Sequence, residues 1–402
     1  MLLLCLAVMA GGCWNVREPE NLVHVLGVAF DLDEETGLFK VYAQVANPIG
    51  MAGGGAAPGG GGDGGAQMKK PFWVVSARGD TPFGAMRNLA PLTTRELFWA
   101  HTTVLVISEK LARRGILPII DLFERERQLR MIVRPVVAEG DVGKLMEAEF
   151  PLESIGAQGM ARGVSVIKFQ RSIFPVQFLT EVVATLSEPG REVLIGRIEV
   201  LAEEDPKPGA PSQPGPPKPP KPPAKISGAA VFRKDRMVGW LTEREVRGWH
   251  WVAGRAFRET LILSAPDDKG KLLTVEVTAS SSKMEPVVEG SNVRMKVTVK
   301  AEDRIQDETA PEDLTVESEL VRSLNRRLAQ VIRNDMEMAI AKAQEFRADI
   351  FGFGYSIYRT RYRDWTRLKD RWDEIFPKVP VELDVEASIR RTGLITKSVT
   401  VR

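Results

Sequence analysis

Between Asp205 and Ala224 the chain reads DPKPGAPSQPGPPKPPKPPA. Proline fixes φ and carries no N–H, so neither a helix nor an interior strand can run through such a stretch, and polyproline II is the conformation left to it. The segment therefore divides a 402-residue chain into two stretches that must each supply their own regular elements. Pro206 to Pro223 would extend by roughly 3.1 Å per residue, as a semi-rigid spacer or surface loop. A ligand for an SH3-type module is the other use of such a sequence. Length alone asks for two or three domains at about 100–200 residues each.

Ahead of the Pro-rich segment, Leu22 to Phe30 is an apolar run and Phe39 to Val45 alternates in strand fashion. The polar Glu34–Gly37 stretch between them predicts a β-hairpin. Gly53 to Gly65 is nearly all Gly and Ala and reads as a surface insertion; no G-K-[ST] closes it, so it is not a phosphate loop. Phe72 to Ala77 predicts a strand, and Thr81 followed by Pro82 predicts a capped helix start. Val104 to Ile107 reads as a buried strand. Ser108 then caps a helix over Glu109 to Arg114, which Gly115 ends. Helix is expected over Leu117 to Arg127, strand over Ile132 to Ala138, mostly helix over Val142 to Leu186, and strand over Glu192 to Ala202. Alternating strands and helices imply a layered α/β arrangement.

Beyond the Pro-rich segment, Ile226 to Phe232 and Arg236 to Leu241 predict a hairpin turning at Lys234-Asp235. Leu272 to Ser280 and Val293 to Lys300 alternate as adjacent strands. A long amphipathic helix is expected from Thr315 to about Asp349, because Leu320, Leu324, Leu328, Val331, Ile332, Met338 and Phe346 keep helical spacing. Two last strands, Glu382 to Arg390 and Leu394 to Val401, close the chain. The expected class is α+β: two to three mixed α/β domains, each a sheet with flanking helices. The expected division is 1–12 as signal peptide, 13–204 as an N-terminal region (two lobes if it splits near 140–150), 205–224 as linker and 225–402 as a C-terminal α+β domain.

The first thirteen residues point outside the cytoplasm. Leu2 to Met9 is strongly apolar, too short for a bilayer span of about 20 residues but suited to the h-region of a signal peptide. Ala10, Gly11 and Gly12 lead into Cys13, an arrangement similar to a lipobox, in which the cysteine thiol takes the lipid. The plain alternative is a buried strand or helix with a structural cysteine. No Lys or Arg precedes the apolar run, so the expectation is that the true start lies upstream. Cys5 and Cys13 are the only cysteines, which excludes a disulfide framework and a zinc-thiolate site. No later apolar run reaches about 18 residues.

The composition, 44% hydrophobic and 27% charged, is that of a globular chain, and its formal net charge of +2 argues against a nucleic-acid partner. Motifs for a nucleophile elbow, a zinc protease or a phosphate loop are absent. His24, His101 and His250 are far apart in sequence. His101, in a Trp99-Ala100-His101-Thr102 setting, reads as a structural histidine. Glu243 and Glu245 are two apart and would point to different sides of a helix. Arg78-Gly79-Asp80 spells an adhesion tripeptide but reads as the turn between a strand and a helix. The Trp-rich stretch from Trp240 to Trp251 could serve as a contact surface or as core. No catalytic, cofactor-binding or metal-binding residues are expected, and Cys13 alone is singled out, for lipidation.

Several stretches together resemble the C-subunit lipoproteins of spore germinant receptors, the Ger(x)C or GerAC-like family. They are Cys13 to Leu22 (CWNVREPENL), Gly27 to Asp31, and the run from Gly79 to Glu139 containing GDTPFGAMRNL, RELFWAHTTVLVISEKLARRGI and LFERERQLR. Ile226 to Arg255, Asp349 to Gly354 (DIFGFG), Trp365, Trp372 and Ile389 to Gly393 (IRRTG) follow in order. The resemblance implies a mixed α/β fold, no catalytic residues and no cofactor. It also implies a lipid anchor at the inner spore membrane and action beside two integral-membrane subunits of A and B type in nutrient-triggered germination. A lipid-anchored solute-binding protein is the alternative that two domains joined by a linker would allow.

Overall fold

The structure, a computed structural model, describes residues 18–47, 70–201, 223–264, 272–290, 292–308 and 319–391. Cys13 and the signal-like run, the Gly-rich stretch, most of the Pro-rich segment and the expected strand Leu394 to Val401 lie outside the described residues.

The first sheet has nine strands in the order β3-β2-β1-β5-β6-β7-β8-β9, with β4 paired to β1. The hairpin of β1 (Leu22–Leu32) and β2 (Phe39–Ala46) forms as expected, closed by a turn in which Gly37 adopts φ +69°. β3 (Phe72–Gly79) extends it antiparallel. β4 (Glu96–Phe98), β5 (Val104–Ser108), β6 (Arg134–Glu139) and β7 (Leu194–Val200) run parallel to β1. Parallel strands are covered on both faces, which explains why all five residues of β5 are buried.

Capping side chains set the helix starts. Thr81 Oγ1 accepts the N–H of Gly84 at 3.0 Å to open α1 (Pro82–Arg87), with Pro82 in the first turn. Ser108 Oγ accepts from Leu111 to open α2 (Glu109–Arg114), and Gly115 ends it at φ +135°. These helices, α3 (Leu117–Arg125) and α6 (Leu179–Ser187) cover the face carrying Val28, Phe30, Leu105 and Val137. The opposite face, with Ala29, Tyr42, Val106 and Val136, is covered by α4 (Val142–Glu147) and α5 (Gly156–Ile167). Adjacent residues such as Val28 and Ala29 enter different cores because strand side chains alternate.

The hairpin after the Pro-rich segment joins this sheet. β8 (Ala224–Arg233) pairs antiparallel with β7, Leu194 opposite Val231, and β9 (Arg236–Leu241) pairs with β8. The strands on either side of 205–224 are thus neighbours in one sheet. Local pattern gives a hairpin but no partner; the open edge of β7 supplies one.

The second sheet is β10-β11-β12-β13, formed by Thr260–Ser264, Leu272–Glu289, Asn292–Glu308 and Val381–Arg391. β11 and β12 are much longer than the alternating cores that announce them. β12 and β13 are parallel, and the chain between them includes α8 (Glu319–Glu345). Leu324, Leu328, Ile332 and Met336 of α8 pack with Val275, Val297 and Val299 of the sheet. α7 (Glu243–Val252) opens with a capping box between Thr242 and Glu245 and packs on α8. Gly248 permits that approach, since a Cβ there would lie 2.0 Å from the backbone oxygen of Asp335.

One residue breaks the apolar face of the second sheet. Asp303 lies between Val277 and Ile389 on the side of β12 that also carries Val297, Val299 and Ala301. It is wholly buried and neither carboxylate oxygen has a hydrogen-bond partner. Burial, with Glu302 adjacent, pushes its carboxyl up to about 7.

Candidate functional site

Where the first sheet meets the C-terminal helices, a cleft of about 410 Å³ opens. Four separate stretches build most of its wall: the α6–β7 connection with Glu188, Arg191 and Glu192; the β8–β9 turn with Lys234 and Asp235; Arg347 and Asp349 after α8; and Trp365, Lys369, Trp372, Asp373 and Phe376. The last group belongs to α10 (Tyr362–Leu368), α11 (Trp372–Ile375) and the turns beside them.

Asp349 fastens this junction. Its Oδ1 accepts N–H bonds from Gly352 at 2.9 Å and Phe353 at 3.0 Å. Its Oδ2 accepts from Gly354 at 2.8 Å and from Trp372 Nε1 at 3.0 Å. The motif DIFGFG is thus an acid that gathers the first N–H groups of α9 (Phe353–Thr360), where the helix dipole favours a negative charge. Gly352 takes φ +77° at the helix start. Gly354 lies against Gly190, and a Cβ on it would meet Trp372 Nε1 at 2.7 Å. Burial pushes the Asp349 carboxyl up to about 6, against the downward pull of the four donors.

Two backbone bonds tie the same junction to the first sheet: Glu192 N–H donates to Asp349 O at 2.9 Å, and Tyr355 N–H to Gly190 O at 3.1 Å. The side chain of Glu192 accepts the N–H of Lys234 at 2.6 Å, a residue held at φ +56°. Burial pushes the Glu192 carboxyl up to about 7, and the nearby Asp373 and Asp349 add to that. Trp365 and Trp372 meet edge to face at 5.7 Å.

Two perturbed acids in one cleft are the pattern expected of a functional site. The chemistry is limited, however. Among the described residues no Ser, Thr, Cys or His lines the cleft, and the four hydrogen bonds to the Asp349 carboxylate come from Gly352, Phe353, Gly354 and Trp372. Among the described residues one ion pair joins lining residues, Arg191 to Glu188 at 2.9 Å.

A buried ionic network lies elsewhere on the seam between the two parts of the chain. Arg247 on α7 reaches Asp335 on α8 at 2.7 Å and Glu259 at 3.3 Å. Arg244 also pairs with Asp335, and Arg171 and the N–H of Ser172, just past α5, meet Glu259. Both acids are fully buried, so each is satisfied by charged or N–H donors as burial requires.

Cys13 lies outside the described residues. His24 and His101 come together with ring centroids 4.7 Å apart beside Phe98, while His250 is elsewhere, buried against Phe174 O. Among the described residues no cluster of three or more His, Cys, Asp and Glu could hold a metal. Glu243 pairs with Lys225, and Glu245 completes the helix cap. Arg78 pairs with Asp33 and Gly79 ends β3, so the tripeptide is the strand-to-helix turn. Trp249 and Trp251 are core residues, and Trp249 Nε1 donates to Ile350 O. The cleft acids Glu192 and Asp349 are not apparent in sequence, although a buried-looking Asp followed by Gly at +3 and +5 is a signal for a carboxylate-capped turn.

Residues 15–200 match the family described as the spore germination protein N-terminal domain. Residues 227–393 match the family described as spore germination B3/GerAC like, C-terminal. Spore germination protein KC of Bacillus subtilis (strain 168) is 25% identical over 98% of this chain and 95% of its own length. Spore germination protein B3 of the same organism is 22% identical over 96% and 95%. The crystal structure of the GerBC protein has the same fold, with TM-score 0.53 and 19% identity, covering 90% of this chain and 97% of that one.

Proposed function

The chain belongs to the spore germination B3/GerAC-like family, and we propose that it is a lipid-anchored, non-enzymatic subunit of a nutrient germinant receptor. The carrying observation is that two germination-family matches follow each other along nearly the whole chain, 15–200 and then 227–393. Cys13, two residues ahead of the first match, is the proposed lipid attachment site. Two acyl chains would hold the protein on a membrane where a single chain holds only marginally. Among the described residues no helix is long and apolar enough to cross a membrane. The partners are two integral-membrane subunits of A and B type, and the location is the outer face of the inner spore membrane. A cleft lined by carboxylates, basic side chains and Trp supports a role in binding or coupling. The segment 205–224 is proposed as a linker looping between two units that share the first sheet.

Deleting the gene should impair germination by nutrients and leave germination by a non-nutrient trigger intact. An undiminished nutrient response would remove the proposal. Cys13→Ala should yield a protein that a radioactive fatty acid no longer labels; continued labelling would remove the anchor. The cleft also favours a second reading, a lipid-anchored solute-binding protein. A thermal-shift screen with no stabilising small molecule would count against it.

A further inference from the structure

We propose that the end of the first sheet where β1 begins lies on the bilayer surface, with Trp73, Leu92, Ile132 and Phe178 as its lipid-facing contacts; this rests on lipidation of Cys13. The first described residue, Glu18, is five residues beyond Cys13. A chain of five residues reaches at most about 18 Å however it is arranged. Only the short turn Pro19–Asn21 then separates Glu18 from Leu22, the first residue of β1. The start of β1 is therefore confined to the neighbourhood of the headgroups. The far end of the same strand, Leu32, is ten residues on, roughly 33 Å away at about 3.3 Å per residue.

Strand register shows what shares the tethered end. Trp73 is opposite Val45, which is opposite Val25 near the start of β1. Arg134, first residue of β6, bonds to Thr103 O, and Thr103 bonds to Leu26 O, so Ile132 comes two residues earlier, at the same end. Phe178 is beside it, because Leu179 N–H donates to Val133 O and Thr180 N–H to Met131 O. Leu92 precedes β4, whose first residue Glu96 pairs with Leu22. All four side chains are exposed, Ile132 by 58% and Trp73 by 50%. Large apolar side chains gathered at one rim, a Trp among them, are what a protein presents to an interface. The charges on that rim mix signs, with Lys70, Arg95 and Arg130 exposed beside Glu18, Glu20 and Glu96. The occupant is accordingly a bilayer surface contacted through apolar side chains, with no requirement for anionic lipid.

The lipidated full chain is bound to phosphatidylcholine vesicles containing a nitroxide-labelled lipid. No cysteine follows Cys13, so a single new one carries an environment-sensitive fluorophore. Ile132→Cys and Phe178→Cys report on the rim, and Glu35→Cys, exposed in the β1–β2 turn, on the far end. Emission from positions 132 and 178 should shift to the blue and be quenched by the nitroxide lipid, while position 35 should do neither. Mass spectrometry and flotation on the same sample read lipidation and vesicle binding separately. If the protein is lipidated and floats, yet all three positions behave alike, the docking surface is refuted and the anchor stands. If the rim positions become protected only when the membrane subunits are present, the surface contacts protein and the proposal is likewise refuted. An unlipidated Cys13 overturns both.

Discussion

Replacing Asp303 by Asn should make the protein less sensitive to rising pH. Asp303 is fully buried on the core side of β12 with both oxygens unpartnered, and its carboxyl sits at about 7 rather than at the ordinary 3.8. A raised carboxyl binds its proton more tightly in the folded chain than in the unfolded one. Its contribution is therefore fully present below about pH 4 and is lost as pH rises through about 7. A displacement of about three pKa units at about 1.4 kcal/mol each sets an upper scale of roughly 4 kcal/mol for that loss. Asn at 303 has the same shape and the same unpartnered burial but no proton to lose. Urea midpoints followed by Trp emission at pH 5 and pH 8 give the comparison. Because part of the loss is already complete at pH 5, the variant should gain on the parent between the two pH values by about two of those three units, roughly 2.7 kcal/mol; other titrating groups, Glu192 and Asp349 included, cancel in the difference. If the stability difference between the two proteins is the same at both pH values, Asp303 is not a lone buried acid and the reasoning fails.

Two further substitutions probe the C-terminal packing. Trp372→Phe removes one of four donors to Asp349, a bond to a charged acceptor that contributes about 1.5–3 kcal/mol. Because that bond lowers the carboxyl, which sits at about 6, the loss should be largest above pH 6 and shrink at pH 5; a pH-independent loss would show that Asp349 is not the group affected. Gly248→Ala places a methyl 2.0 Å from Asp335 O and should destabilise by about 1–3 kcal/mol through separation of α7 from α8, read by urea midpoint; an unchanged midpoint would mean that the two helices are not closely packed.

Much of this fold is written locally. The hairpin of Leu22 and Phe39, the caps at Thr81 and Ser108, the Gly115 terminus and the body of the long helix α8 all follow from period and terminal chemistry, because those signals act within a few residues. What the local signals do not carry is who pairs with whom. Nothing in Ala224 to Leu241 says that it will lie against Leu194, more than 20 residues back across a Pro-rich stretch. The same holds for the Trp-rich stretch: its aromatics are equally suited to a surface and to a core until α8 is placed against them. The cleft was illegible for a related reason. Its acids come from stretches some 150 residues apart, Glu192 and Asp349, and burial, which gives them their character, exists only after assembly.

The sharing of one sheet across the Pro-rich stretch bears on how the polypeptide is made. As the chain emerges N-terminus first, β1 to β7 can assemble while β7 still presents a row of unpaired N–H and C=O groups. That edge is closed only when residues to Arg233 have followed. A product stopped anywhere between Val200 and Ala224 would hold half the sequence or a little more and still expose a strand able to recruit another chain. The two halves are thus one unit of biosynthesis, and a truncation drawn at the proline run would sever a hydrogen-bonded ladder.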